Sequence, residues 1–262
     1  MKDIHQLGFV KLLDVMGNDE EVENAARISY GQGTRKVSQT RNLIRYLMSH
    51  KHTSPFEMCE VKFHLKLPIF VMRQLVRHRT ANLNEYSGRY SVMSNEYYLP
   101  EADYLQKQSS TNNQGRGEVH PSTGLLHFEF NRVYDNAHIA YENLLEEDIA
   151  RELARAVLPV ANYTECIWKI DLHNFFHFVK LRSDSHAQRE IRDYADAMYE
   201  LVKPNFPLCC EAFEDYIQGA KTFSKQEMEI IKDNLNNIVA TDRLGKRESK
   251  EFLEKIRKGD AE

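Results

Sequence analysis

Val61-Lys62-Phe63-His64-Leu65-Lys66-Leu67-Pro68-Ile69-Phe70-Val71-Met72-Arg73-Gln74-Leu75-Val76-Arg77 holds two periodicities back to back. Val61 to Leu65 alternates apolar and polar side chains, the rhythm of a half-buried strand. Pro68 then stands where a first-turn proline is tolerated, and the apolar run behind it predicts a helix through Arg77. On that helix Gln74, Arg77 and His78 fall at i, i+3 and i+4 and share a face.

Outward toward the N-terminus, Gly8 to Met16 reads as a strand. Glu20 to Ile28 and Ser38 to Met48 read as helices, the second with Leu43, Ile44 and Leu47 on one side. In the other direction, Gln106 to Thr123 is rich in Ser, Asn, Gln and Gly. It is read as a mobile surface loop and a candidate active-site lid. Helical spacing resumes at Leu125–Leu145 and Ile149–Val157, Tyr163–Ile170 reads as a strand, and Asp171–Leu181 as a helix. Ser183-Asp184-Ser185 breaks it, and Ser185 with Gln188 forms a capping-box signature for a further helix to about Leu201. No repeat or linker is evident. The expectation is one α+β domain over 1–220, an antiparallel or mixed sheet packed with helices, followed by a charged helical extension at 221–262.

With 262 residues the chain can bury a sizeable core. Its net charge of −4 gives no bulk attraction for nucleic acid or an acidic membrane. Met1 to Gln6 lacks the basic flank and apolar run of a signal peptide, and the apolar run Leu67–Met72 is too short to span a bilayer; a cytoplasmic location is expected. Cys59, Cys166, Cys209 and Cys210 show no metal-ligand spacing and read as free thiols.

The chemistry concentrates in Arg77-His78-Arg79-Thr80-Ala81-Asn82-Leu83-Asn84-Glu85-Tyr86-Ser87-Gly88-Arg89-Tyr90. Guanidinium forks suit phosphate, a carboxylate suits sugar hydroxyls, and a polar irregular backbone offers N–H groups. Residue chemistry alone gives an anion or nucleotide site. A nucleic-acid module is an open alternative, with Arg77, Arg79, Arg89 and Tyr90 as contacts and Tyr97 and Tyr98 as stacking platforms. Ser87 has no adjacent base to make it a nucleophile.

This segment resembles the signature of the flavin-dependent thymidylate synthases: Arg-His-Arg, seven residues, then Ser, with Asn-Glu-x-Ser-x-Arg inside it. Asn82 stands where the family often has Ser. Ala25-Ala26-Arg27-Ile28-Ser29, His52-Thr53-Ser54-Pro55-Phe56-Glu57, Ala154-Arg155-Ala156-Val157-Leu158-Pro159 and Leu181-Arg182-Ser183-Asp184-Ser185-His186-Ala187-Gln188 are similar to further elements of that family. The resemblance implies methylation of dUMP to dTMP, with FAD as cofactor and NADPH and methylenetetrahydrofolate as co-substrates. It also implies a homotetramer whose sites form between subunits.

The same resemblance assigns roles. Arg182 is the candidate catalytic residue, helping to ionise the uracil ring. Gln74, Arg77, Glu85, Tyr86, Ser87, Gly88, Arg89 and Arg155 join it as candidate dUMP contacts. For FAD the candidates are Ser29, His52, Ser54 and Glu57, then Arg77, His78, Arg79 and Glu85, then Asp171, His173 and His177. His173 and His177 share a helix face, but their aromatic neighbours favour packing, and no metal is expected. No cysteine has the Pro-Cys-His setting of the folate-only thymidylate synthases, so a route without an enzyme nucleophile is expected. No Gly-x-Gly-x-x-Gly turn is present; the flavin follows from the resemblance alone.

Overall fold

In the computed structural model, residues 1–30, 39–110, 115–234 and 247–250 are described. Contacts divide the chain into a unit Met1–Gln218 and a unit Gly219–Glu262. The first unit runs β1 (Lys2–Ile4), β2 (Gly8–Met16), α1 (Asp19–Arg27), α2 (Thr40–Ser49), α3 (Ser54–Glu57), β3 (Glu60–Pro68), α4 (Ile69–Leu75) and β4 (Ala81–Glu85). It continues with β5 (Gln106–Gln108), β6 (Arg116–Val119), α5 (Thr123–Glu146), α6 (Arg151–Ala154), β7 (Tyr163–Asp171), α7 (Leu172–Arg182), α8 (Arg189–Val202) and α9 (Pro207–Phe213). The second unit contains the helix α10 (Lys225–Asn234).

Five strands form one sheet in the order β1-β2-β3-β7-β4, and every pairing is antiparallel. The alternation read in β3 is a packing pattern. Val61, Phe63, Leu65 and Leu67 are buried while Lys62, His64 and Lys66 are half-buried. The register sets Phe63 opposite Trp168 and Leu65 opposite Cys166 on β7. Phe63 also stacks at 5.8 Å on Phe175 of α7, so one apolar face meets the helices. The opposite face carries polar pairs, including the ion pair of Lys169 with Glu60 at 2.6 Å and the hydrogen bond of His64 with Glu165 at 2.7 Å.

Several boundaries differ from the sequence reading, each for a local reason. β4 lies inside the segment read as irregular; Asn82 to Glu85 are exposed, so no apolar alternation marks it, and backbone pairing with β7 alone makes it a strand. The segment read as a surface loop holds the β5–β6 hairpin, with residues 111–114 outside the described residues. The helix read over Ile149–Val157 is the short α6 followed by a 3-10 turn, Arg155–Val157. Leu158 precedes a proline and is forced extended, with ψ 135°. The Ser185–Gln188 capping box does not form. Asp184 takes the His186 N–H at 2.8 Å in its own turn, and α8 starts at Arg189 without a side-chain cap. Ser38, read as the start of the second helix, lies outside the described residues.

Gly8 is required by close approach. A Cβ there would fall 2.8 Å from the Ile4 carbonyl and 2.9 Å from the Lys66 carbonyl, and against the Tyr194 hydroxyl. That hydroxyl donates to the Lys66 carbonyl at 2.7 Å, tying α8 to β3. Two of the three obstacles are backbone and cannot rotate away. Gly8→Ala is expected to cost about 2–4 kcal/mol in denaturant unfolding, against about 1 kcal/mol for Tyr194→Phe. A Gly8→Ala protein of unchanged stability would refute this packing.

Candidate active site

α4 stops at Leu75, two residues before the sequence reading ends it. Arg77 and His78 donate backbone N–H groups to Gln74 and Leu75 carbonyls in a tight turn, so the shared face ends with the helix. The grouping survives through another element. Arg182 is the last residue of α7, where a guanidinium ordinarily satisfies its own helix end. Here its Nε donates to His78 Nε2 at 3.0 Å and its Nη2 to the Gln74 carbonyl at 3.3 Å.

That contact fixes the state of His78. Burial, then the charge of Arg182, then His177 depress the imidazole to about 4. The ring is neutral near pH 7, and because Nε2 accepts from Arg182, its proton sits on Nδ1. Burial and the neighbouring Arg77 lower Arg182 in turn, yet a guanidinium stays charged. The corner is therefore a fixed cation beside a neutral acceptor.

A cavity of about 220 Å³ opens between α2, α3, α7 and α9. His52, His173 and His177 line it with Phe56, Phe176 and Phe213, and Lys51 and Lys180 also reach it. His177 lies 6.1 Å, ring to ring, from His78, which links cavity and cation. The structure thus brings together three of the proposed flavin contacts and a fourth beside them. It does not bring in the rest: Ser29, Ser54, Glu57 and Arg79 are exposed and line no part of this cavity. Asp171 caps α7, its two oxygens taking the Asn174 N–H at 2.9 Å and the Asn174 side-chain amide at 2.7 Å. Among the described residues no three His, Cys, Asp or Glu side chains gather as a metal site.

A second group lies at the far end of β4. Glu85 accepts from the Thr164 hydroxyl at 2.9 Å, and Tyr86 donates its N–H to the Glu165 carbonyl at 2.8 Å. The chain then turns, with the Tyr90 and Ser91 N–H groups both on the Ser87 carbonyl. Gly88 is buried here, and a Cβ would meet Met93 at 2.8 Å and the Arg155 side chain at 3.2 Å. The glycine leaves room for the Met93 and Arg155 side chains to lie against this turn. Arg89 pairs with Glu152 at 3.1 Å, and Arg151 donates to the Tyr90 carbonyl at 2.8 Å. The group presents three guanidinium groups around one turn.

Thr164 and Arg151, and Glu152 as the partner of Arg89, were not anticipated; only the sheet and α6 bring them near. The stacking platforms of the nucleic-acid alternative are not available. Tyr98 is buried, and the Tyr97 ring stacks at 4.8 Å on Tyr134. The four cysteines are free and buried. Burial pushes the Cys59 thiol to about 11 and the Cys166 and Cys210 thiols to about 12, so none supplies a thiolate near pH 7.

Residues 11–208 match the family described as thymidylate synthase complementing protein. The chain is 50% identical over 256 residues to the flavin-dependent thymidylate synthase of Ehrlichia ruminantium, strain Gardel, covering 94% of this chain and 85% of that protein. It is 46% identical over 256 residues to the enzyme of the same description from Treponema denticola, covering 96% and 95%. Among solved structures it resembles a UMP/dUMP methylase, PolB from Streptomyces cacaoi, bound with 5-Br dUMP. There the TM-score is 0.75 and the identity 32%, covering 83% of this chain and 99% of that one.

The His78 state yields a prediction in solution. NMR titration should place its midpoint near 4, with the proton on Nδ1 above that pH. An unfolded imidazole titrates near 6.5, so the unfolded chain binds the proton first as pH falls. Stability linked to His78 is therefore complete above about 6.5 and is lost as pH falls through 4. His78→Asn should flatten that part of the profile. A midpoint above 6 would refute the buried Arg182 contact.

Proposed function

The chain belongs to the thymidylate synthase complementing protein family, the flavin-dependent thymidylate synthases, and from that premise we propose how its residues methylate dUMP to dTMP. FAD is the flavin, NADPH its reductant and methylenetetrahydrofolate the carbon donor. One observation carries the assignment of roles: Arg182 leaves its own helix end to join His78 and Gln74, residues of the signature segment.

In this reading the uracil ring lies against Arg182, whose fixed positive charge stabilises the negative charge left on the ring oxygens once the ring imide has given its N3 proton to solvent water. C5 then becomes nucleophilic enough to take the carbon. A guanidinium gives up no proton readily, and neutral His78 adds no competing charge, so the pair acts by field rather than by proton transfer. The buried, protonated thiols support a route in which no cysteine attacks the ring. The turn Ser87-Gly88-Arg89 with Arg155 is assigned to the phosphate, where backbone N–H groups and charged forks converge. Glu85 is assigned to the sugar hydroxyl.

The apolar walls Phe56, Phe176 and Phe213 with a histidine rim suit a planar ring that is greasy on its faces and polar at its edges. When bound and reduced, the flavin supplies the hydride that completes the methyl group. Yet about 220 Å³ is too little for a whole dinucleotide. The two ends of β4 also stand roughly 14 Å apart at about 3.4 Å per residue, so the strand holds the two groups apart within one chain. Both facts support sites assembled between subunits, with the Arg182 corner of one chain completed by the Arg89–Arg155 turn of another in a homotetramer.

The direct test is an anaerobic assay of dTMP formation from dUMP, methylenetetrahydrofolate and NADPH, with and without FAD. Formation that requires FAD supports the whole assignment; none from folded, flavin-loaded protein would overturn it. Arg182→Ala should abolish turnover while weakening dUMP binding far less, and equal losses of both would sink its catalytic role. Arg89→Ala should chiefly weaken dUMP binding. Assayed at dUMP well below saturation, co-expressed Arg182→Ala and Arg89→Ala subunits should show more activity than either variant alone, whereas no gain would place both residues in one chain's site.

A further inference from the structure

The cavity beside α7 is lined by bases without acids. Lys51, His52, His173, His177 and Lys180 all reach it, and among the described residues no Asp or Glu does. The acids on the stretch that supplies Phe213 and Ile217 are spent elsewhere. Glu211 and Asp215 pair with Arg41 and Arg45, and Glu214 with Lys203. Lys62, Lys66 and Lys169 on the sheet each hold a carboxylate, but among the described residues the Lys51 and Lys180 ammonium groups hold none.

Each lysine is placed by its own element. His173, Phe176, His177 and Lys180 fall at i, i+3, i+4 and i+7 on α7 and line the cavity together. Lys51 follows α2 in a closing turn, where its N–H donates to the Met48 carbonyl at 3.2 Å and the His52 N–H to the Leu47 carbonyl at 2.9 Å. That turn sets Lys51 at φ 57°, the left-handed conformation that glycine ordinarily fills at a helix end. A lysine is kept there against its backbone preference, and its side chain reaches the cavity.

We propose that Lys51 and Lys180 are counter-charges for the reduced flavin, stabilising the negative charge that the ring gains with a hydride and so raising its midpoint potential. The proposal rests on the reading above that the flavin ring lies in this cavity. NADPH passes a hydride, one hydrogen with both bonding electrons, so NADP+ is left and a neutral ring becomes singly negative. Delivery of the hydride toward the methyl group makes the ring neutral again. Cations beside the ring therefore favour its reduced state over its oxidised one. A carboxylate in the lining would do the reverse, and among the described residues there is none.

The test measures the midpoint potential of bound flavin, by anaerobic equilibration with a redox dye, and the affinity of flavin-free protein for oxidised FAD. Lys180→Met removes one charge from an exposed helix position. Lys51→Gly removes the other and gives the turn the residue its backbone favours, so the fold is kept. Each should weaken reduced flavin about tenfold more than oxidised flavin, which lowers the potential of a two-electron couple by about 30 mV. Lys180→Arg should keep the potential near wild type, and a fall as large as with methionine would overturn a charge effect. Equal weakening of both states, with the potential unmoved, would assign the lysines to the FAD phosphates and overturn the proposal while leaving the cavity reading standing. Unchanged affinity and potential in both Lys180→Met and Lys51→Gly would overturn the cavity reading as well.

Discussion

The pairing of β7 with strands on both sides is the constraint on which the rest of the molecule depends. Its inner face carries Cys166, Trp168 and Ile170 into the core, and its register with β3 aligns Trp168 with Phe63. Side chains alternate along a strand with period two, so a one-residue slip would turn Trp168 out and Lys169 in. The same register fixes two further things. At one end of β7, Asp171 caps α7 and so aims Arg182 back at His78. Toward the other, Thr164 and Glu165 hold Glu85 and Tyr86, from which the Gly88–Arg89 turn departs. One strand thus sets both halves of the site.

Charge in this site works by restriction. A neutral His78 with its proton on Nδ1 and a guanidinium that cannot discharge each remove a choice from their neighbours. Such preorganisation costs nothing at the moment a ligand arrives, because folding has already oriented the dipoles.

What could be read from the sequence follows the physics of each element. β3 announces itself because one face is buried and its neighbours are charged, and α2 is legible through Ile44 and Leu47 for the same reason. β4 is silent because its pairing uses the backbone and its side chains remain in water. The Arg77–Arg89 segment is legible as an anion site from its density of forks, and as a flavoenzyme segment only through resemblance. The partners that make it work, Thr164 for Glu85 and Glu152 for Arg89, are invisible locally, since sheet register and the placement of α6 decide them. Asp184 and Ser185 show the opposite case, where two local signals compete and the shorter loop closure of the Asp184 turn wins.

The absence of a glycine-rich dinucleotide turn has a structural counterpart. A dinucleotide fold presents phosphate and ring contacts along one continuous crevice of one chain. Here the apolar cavity with its histidine rim and the guanidinium turn at Gly88 are held apart by the length of β4, and neither is large enough alone. On the proposed reading, a chain built this way gains rigid half-sites, each fixed by the core behind it, and leaves their combination to association. Assembly would then be part of the chemistry: strand geometry separates the half-sites within one subunit, and the proposed meeting of two subunits would bring the cation assigned to the base beside those assigned to the phosphate.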